Sequence, residues 1–417
     1  VRIAIIGSGI SGLTSAYLLD KHHDITLYEK ENRLGGHAHT RAVQVNGKTI
    51  HVDIGFIVFN HRNYPNLTGL FKHLDIDTSP SDMSFGVSID RAWLEYGTPE
   101  LRKLFAQKRN LFRPQFLGLL KDILRFNSQA HQYIDSPEKT LGQVLDELKM
   151  GEWFRQYFIL PMGGAIWSTP LLNMEDFPAS TFIRFFKNHG LLTTNDQPQW
   201  HTVKGGSINY VDTISHAFKE KVKTSCPVES VTREKDHLLV KDRAGASEKY
   251  DHVIFACHSD QALKILQNPH EDERNILSNI SYKTNELILH TDKNFMPKRR
   301  AAWTSWSYLS EERLDRTKNM SLTYWMNNLQ PLDTDTDIFV TLNPHKKPAK
   351  ESILHEAVFE HPIFDQDAIT AQSLITSIQG KDRVHYCGAW QRYGFHEDGC
   401  LSAVNVAKNL GAPIPWS

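Results

Sequence analysis

Cysteine is scarce in this chain: four residues in 417, at positions 226, 257, 387 and 400. They are too few for a disulfide framework and have no metal-binding spacing, so a reducing cytoplasm is the expected location and no metal is expected. Long hydrophobic runs are missing too. Nothing approaches the ~20 apolar residues that cross a bilayer, and the apolar start Val1–Ile6 is too short for a signal peptide. An excess of charge of one sign is also absent. Lys plus Arg number 47 against 48 Asp plus Glu, which removes any global attraction to nucleic acid or to anionic membranes. No repeat of fixed period and no low-complexity tract occurs. What remains is a globular composition, 40% hydrophobic, in a chain long enough for two domains.

The first thirty residues carry the strongest signal. Arg2-Ile3-Ala4-Ile5-Ile6 is a short β-branched run of the kind buried on both faces of a parallel sheet. It runs into Gly7-Ser8-Gly9-Ile10-Ser11-Gly12, then a helix-like Leu13–Lys21, then a second strand Asp24–Tyr28 that ends at Glu29. Gly7 permits the tight turn, Gly9 lets the backbone approach a pyrophosphate, and Gly12 lets the helix pack on the strand. The helix N-terminus offers free N–H groups and positive dipole to an anion. Glu29, about twenty residues past the turn, would accept hydrogen bonds from an adenosine ribose. Strand, turn, helix and acid in this order predict a dinucleotide site without separating NAD from FAD.

The next segment does separate them. Glu29-Lys30-Glu31-Asn32-Arg33-Leu34-Gly35-Gly36-His37-Ala38-His39-Thr40 resembles the stretch after the second strand in the flavin amine oxidoreductases, where Gly-Gly-Arg is usual. That family includes monoamine and polyamine oxidases, phytoene-type desaturases and protoporphyrinogen oxidases. Asp53-Ile54-Gly55-Phe56 and the following Ile57 resemble its next flavin-contacting turn, and Lys204-Gly205-Gly206-Ser207 its turn into a helix, Ile208–Lys219. Cys226-Pro227-Val228 resembles the strand whose Val backbone reads the adenine edge, and Tyr250–Ala256 another sheet strand that ends at a small residue. Val384–Trp390 and Phe395–Ala403 resemble the last strand and the closing helix, whose N-terminus faces the flavin pyrimidine.

The resemblance implies FAD as cofactor. The implied contacts come from Gly7, Ser8, Gly9, Ile10, Ser11, Gly12, Glu29, Lys30, Leu34, Gly35, Gly36, His37, Gly55, Phe56 and Ile57. Val228, Ala256, Gly388, Ala389, His396, Asp398, Gly399, Cys400 and Leu401 complete the set, with Asp398 as the cap of the closing helix. The chain departs from the family in three places. His37 stands where Arg is usual. Ala389-Trp390 stands where an acid normally meets the ribityl chain. No Lys aligns where amine oxidases hold a water near flavin N5: that position falls near Glu286, with Lys283 the only neighbouring candidate. Simple amine oxidation is disfavoured. His396 is the leading candidate base, because an imidazole pKa near 6.5 suits proton transfer. Glu286 and His290, four apart on one strand face, are candidates for a proton relay.

The remaining sequence describes a substrate half. Residues 99–127 hold two helix-like pieces split at Pro114, with apolar positions at helical spacing and an excess of Arg and Lys between them. They read either as a core-facing stripe or as a basic amphipathic surface for an anionic membrane. Phe182–Lys187 reads as core or as the rim of the same entrance. Trp303, Trp306, Tyr308, Tyr324 and Trp325 are divided between core and the wall of an apolar pocket.

The expected fold class is α/β: a Rossmann-like FAD-binding domain with an interleaved α+β substrate domain of mixed antiparallel sheet plus helices. The FAD-binding domain is placed at 1–75, 200–258 and 380–417, and the substrate domain at 76–199 and 259–379. The expected activity is removal of two electrons, a dehydrogenation or desaturation, from an apolar substrate. The whole chain looks most like a bacterial branch associated with cyclopropane-fatty-acid-synthase-like enzymes, which implies a fatty-acyl chain of a lipid. Oxygen-dependent amine oxidation is one alternative. A redox-neutral role, as isomerase or lipid-binding flavoprotein, is another. The expected partners are a small molecule or lipid and, through 99–127, the inner face of the membrane; nucleic acid is not expected.

Overall fold

The computed structural model describes residues 1–167, 171–193, 197–313 and 321–416. Arg2–Ile6 is the middle strand of a five-stranded parallel sheet. Asp24–Tyr28 and then Val222–Lys223 lie on one side of it; His252–Phe255 and then Val384–Tyr386 lie on the other. Its side chains alternate between two cores, as a period of two requires. Ile3, Ile5, Ile25, Leu27 and Ile254 face the helices Ile10–Leu19 and His396–Asn409. Ala4, Ile6, Tyr28, Val253 and Phe255 face an antiparallel meander of Val228–Arg233, Leu238–Asp242 and Ser247–Tyr250. Burial on both faces is why the first strand reads as an unbroken apolar run.

A second, seven-stranded sheet is mixed. Its order is Ile353–Pro362, Tyr282–His290, Phe339–Leu342, Leu322–Trp325, Trp306–Ser310, Phe85–Ile89 and Leu94–Gly97. Only the Trp306–Ser310 and Phe85–Ile89 pair runs parallel. Helices Pro114–Gln129, Leu141–Glu147, Leu160–Trp167 and Ala179–Asn188 contribute buried residues to the large core on one face of this sheet. Pro114 opens its helix at the first turn, where the missing N–H costs nothing. Phe182, Ile183, Phe185 and Phe186 are core residues, with the Phe182 and Phe186 rings stacked 4.1 Å apart, so they form no rim.

The aromatic set splits by strand alternation. Trp306 and Tyr324 are cross-strand partners with ring centroids 5.3 Å apart, and both pack against the helix-facing core with Tyr308. Trp303 and Trp325 lie in a smaller cluster with Met296 and Phe339, and the Arg300 guanidinium sits 3.9 Å over the Trp303 ring.

The two large sheets are tied through Asp53, at the end of strand Lys48–Asp53. Its buried carboxylate accepts from Ser207 N and Oγ, Thr40 Oγ1 and Gln330 Nε2. The Gln330 amide oxygen in turn accepts the Asp53 N–H at 2.9 Å. Three distant stretches of chain thus meet on one charge, whose desolvation the four donors offset.

Candidate cofactor and active site

The glycine turn has the geometry its spacing predicts. Gly7 has φ +106°, and its N–H donates to Tyr28 O at 2.8 Å, closing the turn onto the second strand. A Cβ on Gly12 would overlap the Gly7 carbonyl, so only glycine lets the helix start this close to the strand. Gly9 differs. A Cβ there would meet no protein atom within 4 Å, so Gly9 faces open space at the helix N-terminus. Gly36 closes one side of that space: a Cβ on it would lie 3.0 Å from Gly9 Cα, and Gly35 N–H donates to Ser8 O at 3.0 Å. The Glu29 carboxylate accepts from Ser8 N at 2.9 Å, Ser8 Oγ at 2.6 Å and Glu31 N at 2.8 Å. It is buried and preoriented beside the turn. The Glu29 carbonyl accepts from Cys226 N, which brings the start of the Val228 strand alongside. Lys30 is exposed and Leu34 half-buried at the rim.

The turns at Gly55 and Gly388 complete the cradle. Phe56 N–H donates to His37 O at 2.8 Å, and Ile57 O accepts from Thr202 Oγ1 at 2.8 Å. Gly388 N–H donates to Ser402 Oγ at 2.9 Å, while that hydroxyl donates to Gly399 O at 2.7 Å. A Cβ on Gly399 would lie 2.9 Å from Ser11 Oγ and 2.8 Å from Ile10 Cγ2, so the N-termini of the first and last helices meet. Cys400 is fully buried against Thr14, and Leu401 is half-buried behind it. Asp398, at the third position of the closing helix, accepts from Phe395 N at 3.0 Å. Burial pushes its carboxyl up to about 7 against the pull of that hydrogen bond. Beside Ala389, the Trp390 indole covers Gly388 and donates to Cys257 O at 3.1 Å. It staples the last strand to the end of His252–Phe255, just past Ala256, where the family's acid would be.

His396 sits at the centre of this arrangement. Its ring stacks on Phe56 with centroids 3.7 Å apart and planes 12° from parallel, and its Nε2 lies 3.1 Å from Tyr210 Oη. Burial, and secondarily the nearby His37, push its pKa down to about 3, so the ring is neutral at pH 7. The other two catalytic candidates lie elsewhere. Glu286 is exposed and pairs with Lys347 at 3.4 Å. His290 is fully buried, with Nε2 2.7 Å from Thr341 Oγ1 and Nδ1 accepting from Asp292 N. The two do share the strand face opposite Leu287 and Leu289, but Glu286 lies at its solvent-exposed end while His290 is covered by Phe295 and Phe339. No described contact joins either residue to His396. Lys283 is half-buried, and burial lowers its pKa.

Sequence reasoning missed four residues here. Tyr210 supports His396, Trp390 staples the last strand, and Asp53 ties the sheets. The fourth, Phe395, packs against both large cores and stacks on Phe185 at 5.0 Å. Asp53, Trp390 and Phe395 each fell within a quoted motif without these roles being read from it, and Tyr210 carried no signal.

The family model for flavin containing amine oxidoreductase matches residues 10–335. The chain belongs to that family. The structure resembles the CLA-producing fatty acid isomerase from P. acnes, with TM-score 0.71 and 15% identity, covering 98% of each chain. It also resembles putrescine oxidase (0.69, 14% identity, 98% of this chain and 99% of that one) and cyclohexylamine oxidase from Brevibacterium oxydans IH-35A (0.67, 15%, 99% of each). Carotenoid phi-ring synthase of Streptomyces griseus is 38% identical over 77 residues, a stretch spanning 18% of this chain and 15% of that enzyme. This flavin amine oxidoreductase is an FAD-dependent oxidoreductase. Its residues fit that cofactor: an open, glycine-walled helix N-terminus for the diphosphate, a preoriented acid for the ribose, and the closing-helix N–H groups for the ring. When bound, FAD supplies the two-electron acceptor, and the protein supplies placement and electrostatics. No described helix is long and apolar enough to cross a membrane, and no described group of His, Cys, Asp and Glu could hold a metal ion.

Proposed function

We propose that this flavoenzyme removes two electrons from an apolar substrate, a fatty-acyl chain of a lipid, and takes that substrate at a membrane surface. The two sheets divide the labour in this reading. The segments 1–75, 200–258 and 380–417 bind FAD, and 76–199 with 259–379 binds substrate, with the reaction at their junction near Phe395 and His396. The observation that carries the lipid assignment is the outer face of residues 108–124. Leu111, Phe112, Leu117 and Leu124 are exposed, Phe112 by 85%. Leu117, Lys121 and Leu124 share one helix stripe by their spacing, and Lys108, Arg109 and Lys121 are exposed among them. Apolar side chains ringed by cations match an anionic bilayer in both respects. Half-buried Met83, Trp306, Tyr324 and Leu332 pack against the large core and offer apolar atoms suited to a hydrocarbon.

His396 is proposed to orient the substrate and hold a proton at Nε2, with Tyr210 Oη fixing the ring. The test is anaerobic mixing of the yellow protein with phospholipids, fatty acids and an amine panel while flavin absorbance is followed. Bleaching by lipid alone supports the acyl reading, and bleaching by amines alone overturns it. A lipid product of unchanged mass, formed without an acceptor, would instead mark an isomerase.

A further inference from the structure

Three imidazoles flank the open glycine turn from three different elements. His37 follows Gly36, which touches Gly9. His258 lies just past Ala256 and Cys257, whose backbone abuts Gly7. His361 comes from strand Ile353–Pro362 of the other sheet. The ring centroids of His37 lie 6.3 Å from His258 and 5.4 Å from His361, and Phe359 stacks on His37 at 4.9 Å. Each ring is held from behind. His258 stacks on Tyr282 at 4.2 Å, and its Nδ1 is 3.7 Å from Glu360 Oε2. Asn285 Nδ2 donates to His361 Nδ1 at 3.0 Å. His37 bonds the Glu360 backbone, and its Nε2 is buried with no partner among the described residues. A buried, unpartnered imidazole nitrogen beside an anion cradle is costly unless a ligand completes it.

We propose that His37, His258 and His361, beside the Arg33 guanidinium, hold the flavin diphosphate, so that FAD binding draws a proton from solvent onto this cluster. Without ligand the three rings are neutral. Burial is the main cause, holding His37 down to about 4 and His258 and His361 to about 3, and neighbouring imidazoles lower the latter two further. A diphosphate carries negative charge into the same space and reverses the balance. The charged and titratable groups facing the cluster are Glu29, Lys30, Arg33 and His39 from its own segment and Asp260 beside His258. His355 and Glu360 come from the covering strand, Lys283 from the next strand, and His396 and Asp398 from the closing helix. Arg33 is the permanent cation beside the cluster, and its guanidinium donates to Gly36 O at 3.0 Å.

The proposal deepens the FAD assignment and is tested by binding, without turnover. Apoprotein is titrated with FAD by calorimetry at pH 7 in buffers of different ionisation enthalpy, and affinity is followed by flavin fluorescence from pH 6 to 8. The expected result is uptake of roughly half to one proton per FAD, with affinity weakening about ten- to a hundredfold over that range. The variant His37→Arg, charged at every pH, should keep FAD while its uptake falls and its pH profile flattens. His361→Gln should lower the uptake in a second, milder background, which keeps the test open if the Arg variant misfolds. Zero uptake with a flat profile in the parent protein overturns the proposal. So does uptake unchanged in the well-folded variants, which would assign the proton to Asp398 or His396. Apoprotein that takes up no FAD at any pH would overturn the flavin assignment with it.

Discussion

His396 lies flat on Phe56, and its one described hydrogen bond runs to Tyr210. A ring so held cannot swing away, and its pKa near 3 keeps it neutral across the working range. His396→Phe preserves the stack and removes the nitrogens. Flavin content is expected to stay at parent level while turnover on the true substrate falls about 100-fold, the usual scale for a lost proton-transfer group. The parent rate profile should show no limb from this histidine between pH 5 and 8. Absorbance of the purified variant and single-turnover reduction measure both, and unchanged turnover would reduce His396 to packing.

Gly9 and Gly12 separate cofactor binding from folding. A methyl at Gly9 meets nothing in the protein, whereas one at Gly12 overlaps the Gly7 carbonyl. Gly9→Ala should melt within a degree or two of the parent as apoprotein yet bind FAD at least ~10-fold more weakly, a loss of about 1.4 kcal/mol. Gly12→Ala should lose apoprotein stability as well, by roughly 3 kcal/mol or more. Thermal melts beside FAD titrations distinguish them.

Acid should destabilise the chain through its buried histidines. His189, His290 and His385 are buried, and burial pushes each down to about 4, below the ordinary value near 6.5. An unfolded chain binds these protons at a higher pH than the native one does. The stability they contribute is therefore intact above pH 6.5 and is lost as pH falls toward 4, by up to about 1.4 kcal/mol per histidine per pH unit within that window. Urea unfolding at pH 7.5, 6 and 5 should give falling midpoints. Replacing His290 by Gln should flatten the slope.

The exposed Leu111, Phe112, Leu117 and Leu124 are free to be changed without touching the core. Phe112→Ser with Leu117→Ser is expected to leave the melting temperature unchanged. Binding to vesicles rich in anionic lipid should drop more than ~10-fold, because each lost side chain forfeits about 1.5–3 kcal/mol of possible burial. Vesicle flotation at low and high salt reports both parts of the contact, since screening weakens only the cationic one.

The flavin half was legible because its constraints are local. The turn residues from Gly7 to Gly12 and the strand at Arg2–Ile6 answer to sterics and burial within a few residues of themselves, and the sheet order around them follows from that unit. That Glu286 and His290 share a strand face was legible from their spacing, but not that Phe295 and Phe339 cover one end of that face and leave the other in water. His37, His258 and His361 lie far apart in the chain, as do Asp53 and Gln330, and Trp390 and Cys257. His361 and Gln330 reach these places from the side of the second sheet, whereas Trp390 and Cys257 meet because their strands are neighbours in the first. Local sequence thus determined the strand, glycine turn and helix of the first thirty residues and which family the chain resembles. Only tertiary packing decided which histidines gather beside the glycine turn and which ring His396 rests on, because burial and proximity between distant segments belong to the folded chain and not to any window of it.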